Sequence, residues 1–322
     1  MRKPAGTSAG AATADELPDQ VRRACARVAA RARQVAIDAD RLAAMADELP
    51  DEAALPSPDP RLHFHGGPPE AVISFVLCLD AINFGSGWWP TVRKRPGQSG
   101  YLTMAAGLAE RFVSRGPWSA GELFDLDAAT VATVLGQDPD HELMELYAAA
   151  LSDLGAHVRD DAGGRFGRLV SDSRGSAVAL AGRLASWACF ADVCSYDGFE
   201  VPFFKRAQLC AADLDAAGVA RFDDLRRLTA FADNLVPHVL ALDGVLVLDD
   251  ALAQQIERGE LLTHGSTEEV ELRACTVHAV ELLAEACDRR LSPSQIDSVL
   301  WTRGGGARYK ARPRPRSRTT AY

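Results

Sequence analysis

Apolar residues recur at helical spacing along most of this chain, and that period sets what it can fold into. Val21, Cys25, Val28, Ala32, Val35, Leu42, Met45 and Leu49 step by threes, fours and one seven. They form one face of a long amphipathic helix, which Pro50 helps to end. A Pro-rich link covers 51–69; a strongly apolar segment follows from Glu70 to Phe84 and breaks at Gly85-Ser86-Gly87. The same period predicts helices over 102–113, 141–154, 168–189, 205–217 and 266–290. Ser266 and Glu269 have capping-box spacing ahead of the last of these. Gly244 to Leu248 reads as a short strand or merely an apolar link. No GxGxxG or Walker pattern and no long repeat is present. The fold class is therefore mainly α, a single compact helical domain with at most a short β element. Residues 1–18 read as a disordered leader, 19–306 as the domain and 307–322 as a basic tail. An Arg- and Pro-rich tail of that kind is usually a disordered arm, and can also fold back over an anionic site.

Composition limits the function. Of 322 residues, 47% are hydrophobic, enough for a sizeable core, and the formal net charge is -9. That charge argues against a surface that coats nucleic acid and leaves room for a small anion in a local basic pocket. The longest apolar run, Ala71 to Leu79, is far below the ~20 residues that span a bilayer. No signal-peptide core opens the chain, so a cytoplasmic monomer without membrane partners is the expectation. Seven cysteines without a CxxC pair read as reduced, buried thiols, with neither a disulfide frame nor a metal site.

Chemistry concentrates between Phe203 and Pro237. Lys205 and Arg206 open a helix where free backbone N–H groups favour an anion, and Gln208 and Asp213 follow. A solvated Lys-Arg pair is the ordinary alternative. Phe231, Asp233 and His238 form a second group: Asp233 is either a helix cap or a carboxylate able to stabilise a cation or activate water. Asp80 and Asn83 close an apolar helix and either brace a loop or line a pocket. Asp297 and Trp301 lie about one helical turn apart. His63 and His65 flank Phe64 in the Pro/Gly-rich link, with no further metal ligands nearby.

The segments FVLCLDAINFGSGWWP, PFFKRAQLCAADL, LTAFADNLVPHVL, GELLTHGSTEEVELRACTVHAVELL and DSVLW, which follow one another along the chain in the family's order, are similar to the queuosine salvage family. The likeness runs from about residue 60 to the C-terminus. It implies a helical fold related to DNA glycosylases. It also implies hydrolysis of queuosine 5'-monophosphate to queuine and ribose 5-phosphate, without metal or organic cofactor and without direct nucleic-acid binding. By motif match Asp233 is the catalytic carboxylate, Phe231 lines the base pocket and Lys205 takes the 5'-phosphate. Asp297 hydrogen-bonds the deazaguanine edge beside Trp301, His63 is the histidine of the family's His-Phe step, or His65 if the loop shifts by two, and Asp80 and Asn83 match its D-x-x-N-F helix. Relatives often carry Tyr-Arg after the Phe-Ala-Asp motif where this chain has Asn234-Leu235. Arg206, Arg303 or the tail are candidate substitutes. A queuine-binding protein without catalysis, or a glycosidase for another deazapurine nucleotide, are the alternative readings.

Overall fold

A computed structural model describes residues 17–55, 64 and 66–322, so His63, His65 and residues 1–16 of the leader lie outside the described residues, while Leu17 and Pro18, expected in the leader, are buried and open the first helix. The chain opens with α1 (Leu17–Ala29), β1 (Val35–Ile37), α2 (Ala39–Glu48), α3 (Pro69–Ala81) and α4 (Gly100–Arg115). Next come α5 (Ala120–Phe124), α6 (Ala128–Leu135), α7 (Glu142–Ala162), α8 (Phe166–Asp172) and α9 (Ala177–Ala185). The middle holds β2 (Val193–Tyr196), β3 (Phe199–Pro202), α10 (Lys205–Ala216), α11 (Leu235–Leu242) and β4 (Leu246–Leu248). The last elements are α12 (Asp250–Glu257), α13 (Thr267–Ala286), α14 (Pro293–Gly304) and α15 (Ala307–Lys310). The molecule is mainly α, and its strands form only two small antiparallel pairs, β1 with β4 and β2 with β3, among the described residues.

Three expectations need correction. The single helix over 21–49 is a helix, a strand and a second helix. Backbone amides of Arg33 and Gln34 donate to the buried Glu271 carboxylate at 2.8–3.0 Å, which stops α1 from continuing. β1 then pairs with β4, and the Asp38 side chain caps α2. All three pieces pack on α13, so their apolar residues share one side despite the interruption. The span 168–189 also divides, at Arg174 and Gly175, whose φ values are 52° and 79°. The Asp224 carboxylate accepts from Ser176 Oγ and Ala177 N, both at 2.6 Å, and so fixes the new start at α9. Finally, the tail is packed and not a free arm. Ser317, Thr319, Ala321 and Tyr322 are buried, Gly85 N donates to Tyr322 O at 3.2 Å, and Ser317 bridges to Leu262.

Two large apolar clusters and a smaller one hold these elements. The first centres on α3, which is buried all round, with Phe75, Leu77, Leu108, Leu143 and Leu154. The second joins α11, α13 and α14 through Val239, Leu240, Leu283, Ile296 and Leu300. The third packs α1 on the β2–β3 hairpin. Several polar residues singled out in the sequence, Lys205, Asp80, Asp233 and Asp297, lie close enough together, on elements of the first two clusters, for the three carboxylates to act on the Lys205 ammonium. No helix is long and apolar enough to cross a membrane among the described residues. All seven cysteines are free, six of them buried.

Candidate active site

The site begins where α10 begins. Phe204 adopts the left-handed conformation, φ 49°, a costly state for a bulky residue that turns the chain sharply from β3 into the helix. Asp192 secures this turn: its carbonyl accepts from Phe203 N and Phe204 N, and its carboxylate accepts from Lys205 N at 3.0 Å. The next three residues divide their tasks. Arg206 is buried against the carbonyls of Ala81 (2.6 Å), Asp80 (3.4 Å) and Ala321 (3.3 Å), between the rings of Phe84 and Phe190. Burial pulls its guanidinium down to about 10, and the carbonyl end of α3 compensates part of that cost. Gln208 clamps α10 to Thr229 through bonds of 2.9 and 3.0 Å. Among the described residues Lys205 is left with a single long contact, Nζ to Asn83 O at 3.4 Å, although it is only 5% exposed. Burial draws its ammonium below the ordinary lysine range, while Asp233, Asp80 and Asp297 pull the other way.

Asp233 precedes α11. Its Oδ1 accepts from Leu235 N (2.8 Å) and Val236 N (3.0 Å), so the capping role expected of such an Asp is real. One oxygen makes both bonds, and Oδ2 takes none among the described residues. The side chain is half-buried and so reachable by a ligand. Asp297, on α14, is 5% exposed and accepts from Phe231 N at 3.0 Å. Burial, then the charge of Asp233, pushes its carboxyl well above the usual range, against the opposing pull of the Phe231 amide and Lys205. The two carboxyls thus differ in environment: one capping and accessible, the other enclosed and favouring its proton.

The opposite wall comes from α3, α4 and α10. Asn83 Nδ2 donates to Asp80 Oδ1 at 3.3 Å, and Asp80 is fully buried. Desolvation raises the Asp80 carboxyl to about 6 despite the Asn83 bond and the charges of Lys205 and Arg206. Half-buried Asp213 follows two turns after Lys205 on α10. Tyr101 from α4 meets Trp301 edge to face, with ring centroids 6.3 Å apart, and closes the circuit back to Asp297 on α14. The structure therefore brings Asp233, Phe231, Lys205, Asp297, Asp80, Asn83 and Trp301 around one seam.

Some residues stand elsewhere. His238 bonds Tyr309 O at 2.9 Å and is structural. Arg303 pairs with Asp243 at 3.1 Å, and Arg206 is committed to carbonyls, which leaves the tail as the only one of the three substitutes still open. There, half-buried Arg314 donates to Gly304 O at 3.2 Å and lies close enough to Asp233 to feel its charge. Gly304 itself is pressed against Leu235: a Cβ there would fall 2.6 Å from Leu235 Cδ1. Sequence reasoning missed Tyr101 and the buried pair Arg273–Asp192 (2.7 and 2.8 Å). Arg273 also bonds Ala232 O at 3.1 Å, so one guanidinium ties the Phe-Ala-Asp segment to the Asp192 that holds Lys205. Two open clefts, of about 420 and 540 Å³, include none of the four aspartates in their linings.

The family model described as queuosine salvage protein matches residues 62–322. This chain belongs to that family. A curated relative from Sphaerobacter thermophilus, named queuosine 5'-phosphate N-glycosylase/hydrolase, is 34% identical over 92% of this chain and 95% of its own length. Relatives of the same name from Dictyostelium discoideum and Mus musculus are each 28% identical, over 79% and 73% of this chain. Membership of the queuosine salvage family accounts for the match of separate segments from α3, α10, the Phe-Ala-Asp segment and α14, which the fold gathers at one seam.

Proposed function

We propose that this chain hydrolyses the N-glycosidic bond of queuosine 5'-monophosphate, releasing queuine and ribose 5-phosphate, with Asp233 as the catalytic carboxylate. The observation that supports the residue assignment is the pairing of two unlike carboxyls at the Phe-Ala-Asp segment, Asp233 within it and Asp297 bonded to Phe231 N. Cleaving a ribosyl N–C bond builds positive charge on the sugar. A carboxylate fixed beside that carbon stabilises the charge and can orient or deprotonate water. The two backbone bonds that fix one oxygen of Asp233 preorganise it for this task, and its other oxygen is open.

The departing base needs help that a 7-deazapurine cannot receive at N7, which it lacks. Asp297, held towards its neutral form, can donate to an acceptor on the ring edge, while its bond from Phe231 N sets its orientation. Phe231 and Trp301 supply apolar walls. Lys205, buried and nearly unpartnered, takes the 5'-phosphate or the adjoining ribose oxygens; Arg314 stands near Asp233 as a second cation for the same end. His63 remains a proposed substrate contact.

The test is product release. Purified protein incubated with queuosine 5'-monophosphate should yield free queuine by chromatography, with many turnovers per molecule. Stoichiometric binding with no base released would instead support a carrier or sensor.

A further inference from the structure

The seam holds more carboxylates than its buried ammonium can balance. Asp80, Asp213 and Asp297 sit with Asp233 around Lys205. Asp233 and Asp297 have backbone donors, but the other two are poorly served. Asp80 is 0% exposed and its Oδ2 has no hydrogen-bond partner. The Asp213 carbonyl accepts from Ala217 N at 2.9 Å, while its half-buried carboxylate takes no hydrogen bond among the described residues. Arg206, close to Asp80, gives its donors to backbone carbonyls. A buried carboxylate oxygen without a donor is a rare and costly feature, and here it stands beside a second carboxyl at the half-open edge of the seam. Tyr101 and Trp301 continue from that edge to Asp297, so the pair lies along the same wall as the base-edge carboxyl.

We infer that Asp80 and Asp213 form a seat for a cationic part of the substrate: a protonated amine carried on the base, with Tyr101 as its side wall. This rests on the reading proposed above. Queuine differs from plain 7-deazaguanine by an arm that contains a secondary amine, protonated near neutral pH, and ends in a ring diol. An ammonium between two carboxylates makes charge-assisted hydrogen bonds and supplies the missing donor to Asp80 Oδ2. It also brings the local count closer to neutrality. In the empty protein burial raises both carboxyls, and the charge of Asp80 raises that of Asp213 further, the pattern of anionic groups short of a counter-charge. The seat makes Asp213 a specificity-determining residue: it selects the arm and leaves the sugar chemistry to Asp233.

Calorimetry with two free bases tests this. Wild-type protein should bind queuine at least ~30-fold more tightly than 7-deazaguanine, about the worth of one charge-assisted pair. In Asp213→Asn that ratio should fall to about 3-fold. Asp213→Ser, with its melting curve recorded, serves if the first variant is poorly folded. A ratio unchanged in both variants, or equal binding of the two bases by wild type, overturns the inference. If wild type still releases queuine from queuosine 5'-monophosphate in that case, the seat fails and the hydrolase reading stands. If it releases none, the reading fails as well.

Discussion

Asp80 shows what a ligand site costs at the scale of one residue. Its folded-state carboxyl is raised to about 6 from an ordinary value near 4, so between those values the folded protein binds more protons than the unfolded chain. Stability from this group is therefore present below about pH 4, falls as pH rises through about 6, and stays reduced above that. Asp80→Asn should then be more stable than wild type at about pH 8, by up to about 3 kcal/mol, with the gap shrinking towards pH 4. Urea melts at the two pH values check this, and a variant less stable at pH 8 contradicts it. Asp297→Asn keeps an oxygen for Phe231 N but loses the acidic proton. It should lower kcat by about 10²-fold or more while the melting temperature moves little. An unchanged kcat in steady-state assays would remove Asp297 from the proton-donor role.

At the scale of elements, the site depends on a buried joint built around Arg273. Arg273 on α13 pairs with Asp192, bonds Ala232 O, and lies between the rings of Phe203 (3.9 Å) and Tyr322 (4.4 Å). Arg273→Met leaves Asp192 buried and unpaired, a change expected to cost about 3–5 kcal/mol. Denaturant unfolding should show that loss; a cost below about 1 kcal/mol would mean the pair is not what fixes α10 to the Phe-Ala-Asp segment. Such joints are hard to read from sequence because their partners are remote, Asp192 and Arg273 being far apart in the chain. Although α7 was expected to end at 154 and runs on to Ala162, uninterrupted helices such as α10 and α13 were legible from their apolar period. The breaks at Arg33-Gln34 and Arg174-Gly175 were not, since distant carboxylates (Glu271 and Asp224) stabilise them. The β2–β3 hairpin did leave a local signal that went unread. Asp197-Gly198, with φ of 45° and 80°, is a two-residue turn of the kind that joins antiparallel strands.

On the scale of the whole molecule, the C-terminal segment is structural closure. It covers Arg206 with the Ala321 carbonyl, covers Arg273 with the Tyr322 ring, and carries Arg314 towards Asp233. Its Arg and Pro content suggested a free arm because composition reports no tertiary partner. Removing 311–322 should lower the melting temperature by several degrees and weaken cooperativity, read by calorimetry; a truncated chain that melts like the full one would show the segment to be dispensable. Most of the candidate site was legible because its residues lie in short, dense motifs. The distinct roles within Lys205-Arg206-Ala207-Gln208 were not, because both cations are buried and only their tertiary partners differ: Arg206 is taken up by carbonyls, and Lys205 has one long contact among the described residues. The central claim is that a charge at position 233 drives base release. Asn caps a helix as well as Asp does, so Asp233→Asn tests it without dismantling α11. In single-turnover reactions with excess protein, queuine release from queuosine 5'-monophosphate should slow by at least ~10³-fold in this variant while the nucleotide remains bound. Release within about 10-fold of the wild-type rate would contradict the account.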